Sequence, residues 1–325
     1  MLTKKTLVSI VVSLGILSLV YSQLDIPDIL NRLQAVNLSW FLLAVLITVP
    51  ITMLTAWRLT WLVPENHTVG FWEANRLILA ASTMNLALPS KMGDLVKSVF
   101  IAKRNGPNHS QSFSLVLLEK SCDLYCVLFW TMCGILIVDT ELWIYDLMLF
   151  VSCSGLFIIT LLYISSEFSN NLYSLVSFAI PKKVKSGTDK LKADWVEVIV
   201  QISKNRIKFA GILLFSSALW IAHFVQIWFF MLALEIDIAI VDALLLTPLV
   251  LLLGLLPFTF AGVGARDAGF IFVFSAYFDP ATGASLGILT FLRYLLTGLV
   301  GIPFFTHSMA EFRKQQPEIG SPRAS

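Results

Sequence analysis

Six stretches of this chain, 6–22, 40–63, 111–138, 142–164, 209–234 and 284–306, are apolar over spanning lengths. A transmembrane helix needs about 20 such residues to cross the hydrocarbon core of a bilayer. Two further apolar regions, 71–101 and 241–278, are interrupted, one by Pro89 and Gly93 and the other by Pro257, Gly262 and Gly264. Hydrocarbon offers no water to backbone N–H and C=O groups. Spans must therefore be helical, and a broken helix is tolerated only where protein or a wet cavity serves its freed groups. Of the 325 residues, 57% are hydrophobic and 14% charged, against about 25% charged in a soluble domain. A soluble globular fold is excluded, and the net charge of +2 gives no reason to expect nucleic acid as a partner.

Loop charges set the expected topology, because cytoplasmic loops collect Lys and Arg. Lys4 and Lys5 precede the first run, Lys103 and Arg104 follow the first broken region, and the 165–208 loop carries Lys182, Lys183, Lys185, Lys190, Lys192, Lys204, Arg206 and Lys208. Asp25, Asp28, Asp139, Glu141, Asp146, Glu235, Asp237 and Asp242 fall in the alternate loops. All of these fit one scheme if each broken region dips into the membrane and returns to its own side. The predicted fold is an all-α polytopic membrane protein with six spanning helices and two re-entrant hairpins of opposite orientation. The order helix, broken hairpin, helix occurs at 40–63, 71–101 and 111–138 and recurs at 209–234, 241–278 and 284–306. Such paired interruptions in two halves are the sequence pointer to a transporter's substrate site.

Charged residues at membrane depth form three groups. Lys91, Gly93, Asp94 and Lys97 follow Pro89; "LEKSCDL" supplies Glu119, Lys120 and Asp123; "PFTFAGVGARDAGF" supplies Gly262, Gly264, Arg266 and Asp267, with Arg293 in the last run. Each charge at the bilayer centre costs roughly 2.5–3.5 kcal/mol on insertion scales, so these groups must pair or face water. A buried structural network is one reading. In the other, helices starting at Gly93 and Gly264 turn free N–H groups toward the breaks, where with Lys or Arg they would hold an anion such as a phosphate. Arg58, near a helix end, is expected to snorkel.

Other features are quieter. Cys122, Cys126, Cys133 and Cys153 lie in apolar runs without CxxC or Cys/His metal spacing, so no metal site and no cofactor are expected. His223 is expected to be packed or hydrogen-bonded. "LVYSQ" lacks a small-x-small cleavage site, so the first run reads as an uncleaved helix. Residues 189–202 pattern as an amphipathic helix on the inner leaflet, within a basic loop that could attract anionic lipid or act only as a topology signal. Residues 1–310 form the expected membrane domain and 311–325 a short cytoplasmic tail.

"PSKMGDLVK", "LEKSCDL" and "AGVGARDAG", in that order, resemble the motifs of the lysylphosphatidylglycerol synthase transmembrane-region family, over residues 10 to 306. The resemblance implies a flippase-like membrane domain. Ala261 stands where many members have glycine, and Asp267 where glutamate is usual. The aminoacyl-transferase domain of the best-known members is not expected here, so synthase activity is not carried over and the chain reads as a transporter rather than an enzyme. The expected activity is translocation between leaflets of a phosphate-bearing lipid: a phospholipid, an aminoacyl-phospholipid or a polyprenyl-phosphate-linked lipid. A membrane-embedded transferase on a lipid-linked donor, or a non-transporting partner of a lipid or glycan synthesis complex, are the alternatives. The expected location is a bacterial or archaeal cytoplasmic membrane, with both termini cytoplasmic.

Overall fold

A computed structural model describes residues 15, 17–18, 21–22, 24–63, 68–87, 93–103, 108–138, 143–165, 167–169, 171, 193–198, 205–255 and 264–314. Among these residues the regular structure is helical. In chain order the longer helices are α1 (Ile26–Gln34), α2 (Leu38–Leu46), α3 (Thr48–Leu62), α4 (Phe71–Ala87), α5 (Gly93–Lys103), α6 (His109–Ile137), α7 (Trp143–Ile164), α8 (Arg206–Ala233), α9 (Ile240–Gly254), α10 (Ala265–Val273) and α11 (Pro280–Lys314).

Among the described residues five stretches are long and apolar enough to cross a membrane: Leu38–Leu62, His109–Ile137, Ile144–Ile164, Arg206–Ala233 and Pro280–Ala310. They coincide with five of the six expected spans, and most of 6–22 lies outside the described residues. The first is α2 and α3 end to end. Pro50 has no N–H to give to the turn before it, and the helix is interrupted at Ile47. The last helix runs past the expected limit of 306 to Lys314.

Both broken regions are helix pairs. In the second, Gly254 meets the Arg266 side chain while Gly269 meets Val250 and Leu253. Residue numbers rise on one arm as they fall on the other, so α10 turns back along α9. In the first, Gly93 at the start of α5 abuts Ala81 and Asn85 near the end of α4. With 11 and 9 residues, α5 and α10 are about 16 and 14 Å long at 1.5 Å per residue. Either alone is half of a 30 Å hydrocarbon core. Pro89, Lys91, Pro257 and Gly262 lie in the linking residues, outside those described.

The packing of the halves is reciprocal. Helix α4 lies along α11, and α9 lies along α6; α5 packs on α6 as α10 packs on α11. Each hairpin therefore spans from its own half's last helix to that of the other half. Small residues set these approaches, as is usual between membrane helices. A Cβ at Gly301 in α11 would collide with the Leu79 carbonyl of α4, and one at Gly134 in α6 with the Leu245 carbonyl of α9. The main core, with Phe230, Met231, Leu246, Leu249, Phe270 and Phe274, lies where α8, α9 and α10 meet.

Two interfacial elements can be compared with expectation. Residues 193–198 are helical, with Val198 buried and Trp195 partly buried in a cluster that includes Leu115, Leu118 and Tyr163 of α6 and α7. Helix α1 is amphipathic, with Ile29 buried against Ala281 and Ala284 of α11. Its Arg32 donates to Asp279 at 2.7 Å, and Asp279 also accepts from the Thr282 amide and hydroxyl at the start of α11.

Two outcomes are expected. Gly134→Leu or Gly301→Leu overpacks a backbone-to-backbone contact and should cost at least about 1–3 kcal/mol, read as a lowered melting temperature of the detergent-solubilised protein. Partial burial of Asp279 opposes its charge, but the Thr282 donors and the Arg32 guanidinium outweigh this and hold its carboxyl below the ordinary aspartate value of 3.8. The stability it contributes is present above that value and is lost as pH falls through the lower folded one. The melting-temperature gap between the parent and Asp279→Asn should therefore close below about pH 4.

Candidate functional site: two buried charge clusters joined through α8

The first cluster gathers on α3, α5 and α6. Glu119 and Asp123 are one helical turn apart and share a face of α6. Arg58 of α3 reaches both: Nη2 lies 3.2 Å from Glu119 Oε1 and Nη1 lies 2.5 Å from Asp123 Oδ1. Lys97 of α5 donates to the second Glu119 oxygen at 2.5 Å. Lys120 bridges Asp94 of α5 at 2.8 Å and Asp123 at 3.4 Å. Among the described residues three cations meet three carboxylates. The cluster also has a direction. Arg58, Lys97 and Glu119 are sealed, at 3%, 2% and 1% exposure, whereas the Lys120 side chain is 40% exposed.

Arg58 is thus the centre of the cluster rather than a snorkelling residue. Its helix end is covered by α6 and α8, so its guanidinium finds partners inside and has no route to the surface. Ser216 of α8 accepts from Nη1 at 2.9 Å.

The second cluster lies on α8, α10 and α11. Gly264 has φ 89°, the left-handed region that glycine enters without a Cβ penalty, and α10 starts immediately after it. The N–H of Gly264, the residue before the first turn, donates to Asp267 Oδ2 at 3.0 Å, while among the described residues no side chain caps the first-turn N–H groups of α10. Arg266 Nη2 lies 3.3 Å from Asp267 Oδ1 and 3.3 Å from the Gly287 carbonyl. Arg293 of α11 donates to Gln226 Oε1 at 2.6 Å and lies 3.3 Å from His223 Nδ1. Because a guanidinium only donates, that nitrogen accepts and the imidazole proton sits on Nε2. Both guanidiniums flank the Tyr294 ring, Arg293 at 4.3 Å and Arg266 at 5.6 Å from its centroid.

Helix α8 connects the two. The Trp220 indole N–H donates to Asp123 Oδ1 at 3.3 Å, and its ring lies 5.5 Å from that of His223. A chain of contacts therefore runs from Lys97 through Glu119, Arg58 and Asp123 to Trp220 by ion pairs and hydrogen bonds, crosses to His223 by ring packing, and ends at Arg293. Gln226 extends it, since its Nε2 donates to the Ala44 carbonyl and Thr48 hydroxyl beside the α2–α3 interruption.

Of the residues singled out in the sequence, Gly93, Asp94, Lys97, Glu119, Lys120 and Asp123 come together in the first cluster, and Gly264, Arg266, Asp267 and Arg293 in the second. Lys91 and Gly262 lie outside the described residues. Ser216, Trp220, Gln226 and Tyr294 were not foreseen as site residues. Ser216, Trp220 and His223 recur at helical spacing on one face of α8, with Gln226 one turn beyond. That spacing was the available signal.

Replacing Lys97 by Met alone leaves Glu119 facing Arg58 with one oxygen unpaired. Breaking a buried pair costs about 3–5 kcal/mol. The double variant Lys97→Met/Glu119→Gln removes both charges and should recover part of that loss, which paired thermal melts would reveal.

Residues 6–301 match the profile of a family described as the lysylphosphatidylglycerol synthase TM region. No curated protein matches the chain. With five helices of bilayer-crossing length, this describes an integral membrane protein related to lipid handling.

Proposed function

The chain belongs to the lysylphosphatidylglycerol synthase TM region family, and from that premise we propose that it moves a phosphate-bearing lipid between leaflets by alternating access. The observation that carries the reading is the chain of contacts across α8. It links the charges buried on α3, α5 and α6 to Arg293 of α11, which shares the Tyr294 ring with Arg266 of the second hairpin. The hairpins α4–α5 and α9–α10 are re-entrant in this reading and enter from opposite sides. Their reciprocal packing on α11 and α6 supports an inverted repeat, in which rocking one half against the other opens a central site to each leaflet in turn. The first 6–22 run is the sixth span, and both termini are cytoplasmic.

Within the site, Arg266 and Arg293 hold the phosphate, because guanidinium groups bind its oxygens with paired N–H donors. Lys91, two residues before α5 in sequence, adds a cation from the other half. The lipid is a phospholipid, an aminoacyl-phospholipid or a polyprenyl-phosphate-linked lipid; the chain redistributes it and forms no covalent bond. The basic 165–208 loop meets anionic lipid at the cytoplasmic surface.

In liposomes carrying a headgroup-labelled lipid, Arg266→Ala or Arg293→Ala should slow translocation at least about tenfold, the equivalent of one charge-assisted hydrogen bond. Parent-like rates in both would sink the reading, and labelled lipid recovered with altered mass would make the chain a transferase. Orientation has a separate check. In a background without native cysteines, His109→Cys should react with an impermeant maleimide only from the cytoplasm, and Ser275→Cys only from outside.

A further inference from the structure

The buried Arg293 guanidinium meets Gln226 Oε1 at 2.6 Å, His223 Nδ1 at 3.3 Å and the Tyr294 face at 4.3 Å. Gln226 accepts at every pH, and its own amide is anchored on the Ala44 carbonyl and the Thr48 hydroxyl. His223 is different in kind. Imidazole is the side chain whose ordinary charge change falls between pH 5 and 8, and a guanidinium has only donors to offer. The Nδ1 that faces Arg293 must therefore be bare. A proton there would set N–H against N–H and cation against cation. Proton and guanidinium thus compete for one lone pair. His223 is half-buried rather than sealed, so a proton can reach it.

Resting on the lipid-transport reading, we propose that His223 is a positioning residue for Arg293 under proton control. With Nδ1 bare it holds the guanidinium in place; with Nδ1 protonated it releases it. The proton is taken from water and returned to it, and nothing else is transferred. Charged groups surround His223 from several helices. Helix α11 brings Arg293 and Tyr294, with Arg266 of α10 beyond the Tyr294 ring. Helix α6 brings Asp123 through the Trp220 indole, and α3 brings Arg58 behind Asp123. Helix α2 has no ionisable residue, and that of α9 is Asp242 in its first turn. On α8 no other residue between 209 and 233 is ionisable. Asp123 is committed to Arg58 and Lys120, so the neighbour that answers a proton on Nδ1 is Arg293. The latch rests on one donor–acceptor contact and not on the charge balance of the cluster, so Lys91, outside the described residues, does not enter it.

Two measurements on the full chain in phosphatidylcholine liposomes test this. The first needs no transport. The chain has four histidines. With His67, His109 and His307 replaced by Gln, solid-state NMR of protein labelled with nitrogen-15 histidine reports on His223 alone. Its Nδ1 should be bare at pH 8 and carry a proton at pH 5. A protonated Nδ1 at pH 8, or a bare one at pH 5, overturns the proposal. The second measurement follows headgroup-labelled phosphatidylglycerol between leaflets, with equal pH on both sides. The parent should slow at least about fivefold from pH 8 to pH 5, the equivalent of one hydrogen bond. His223→Asn keeps an acceptor, Oδ1, in place of Nδ1 and takes up no proton, so its rates at the two pH values should agree within about twofold. His307→Gln should keep the parent's pH ratio. His223→Leu, without an acceptor, should be slower at pH 8 than His223→Asn, which separates positioning from packing. A His223→Asn ratio equal to the parent's, or His223→Leu as fast as His223→Asn, overturns the proposal. Should the His223 variants fail to fold, the NMR measurement decides. A chain whose His223 behaves in this way but which moves no lipid at either pH upholds the proton site and removes the transport reading. One that moves lipid with the parent's ratio in His223→Asn does the reverse.

Discussion

Glu119 is the group on which the interior depends. A carboxylate at 1% exposure in a bilayer-spanning helix is tolerable only because each of its oxygens meets a different cation, Arg58 on one side and Lys97 on the other. Those cations come from α3 and α5, so meeting the electrostatic need of one side chain fixes three helices against each other. Asp123 repeats the arrangement one turn along, with Arg58, Lys120 and the Trp220 indole. In low dielectric the attraction between such groups is large, but so is the desolvation cost. A buried network holds its shape mainly through the penalty for breaking it.

This division explains why the halves, which mirror each other in packing, differ in chemistry. Among the described residues the first cluster, on α3, α5 and α6, pairs three cations with three carboxylates. In the second, on α10 and α11, Arg266 meets the Asp267 carboxylate and the Gly287 carbonyl, while Arg293 meets an amide oxygen, an imidazole and an aromatic face. Helix α8 is the part common to both, since Ser216 and Trp220 serve the first cluster and His223 and Gln226 the second. It connects them because Ser216, Trp220, His223 and Gln226 follow one another at helical spacing.

Much of this was legible in the sequence, for physical reasons. Apolar run length marked the five crossing helices because hydrocarbon thickness fixes how many residues a helix needs. Glycine, proline and charge together marked both hairpins, because a bilayer tolerates such clusters only where they are buried in protein or meet water. The ion pairs were not legible. That Lys97 would meet Glu119, 22 positions away, depends on how α5 packs on α6, and charge alone does not say which cation takes which carboxylate. Arg58 was misjudged for the same reason: position near a helix end suggests escape to the surface, and only the covering helices remove that route. Within 189–202, an apolar stripe shows that something apolar covers it, without distinguishing lipid from protein.

Gln226 has one planar amide, and its two ends are committed to different parts of the molecule. The nitrogen holds the backbone beside the α2–α3 interruption, and the oxygen holds Arg293. A rigid plane cannot reorient one end alone. The interruption between α2 and α3 and the position of the Arg293 guanidinium are therefore tied through a single amide.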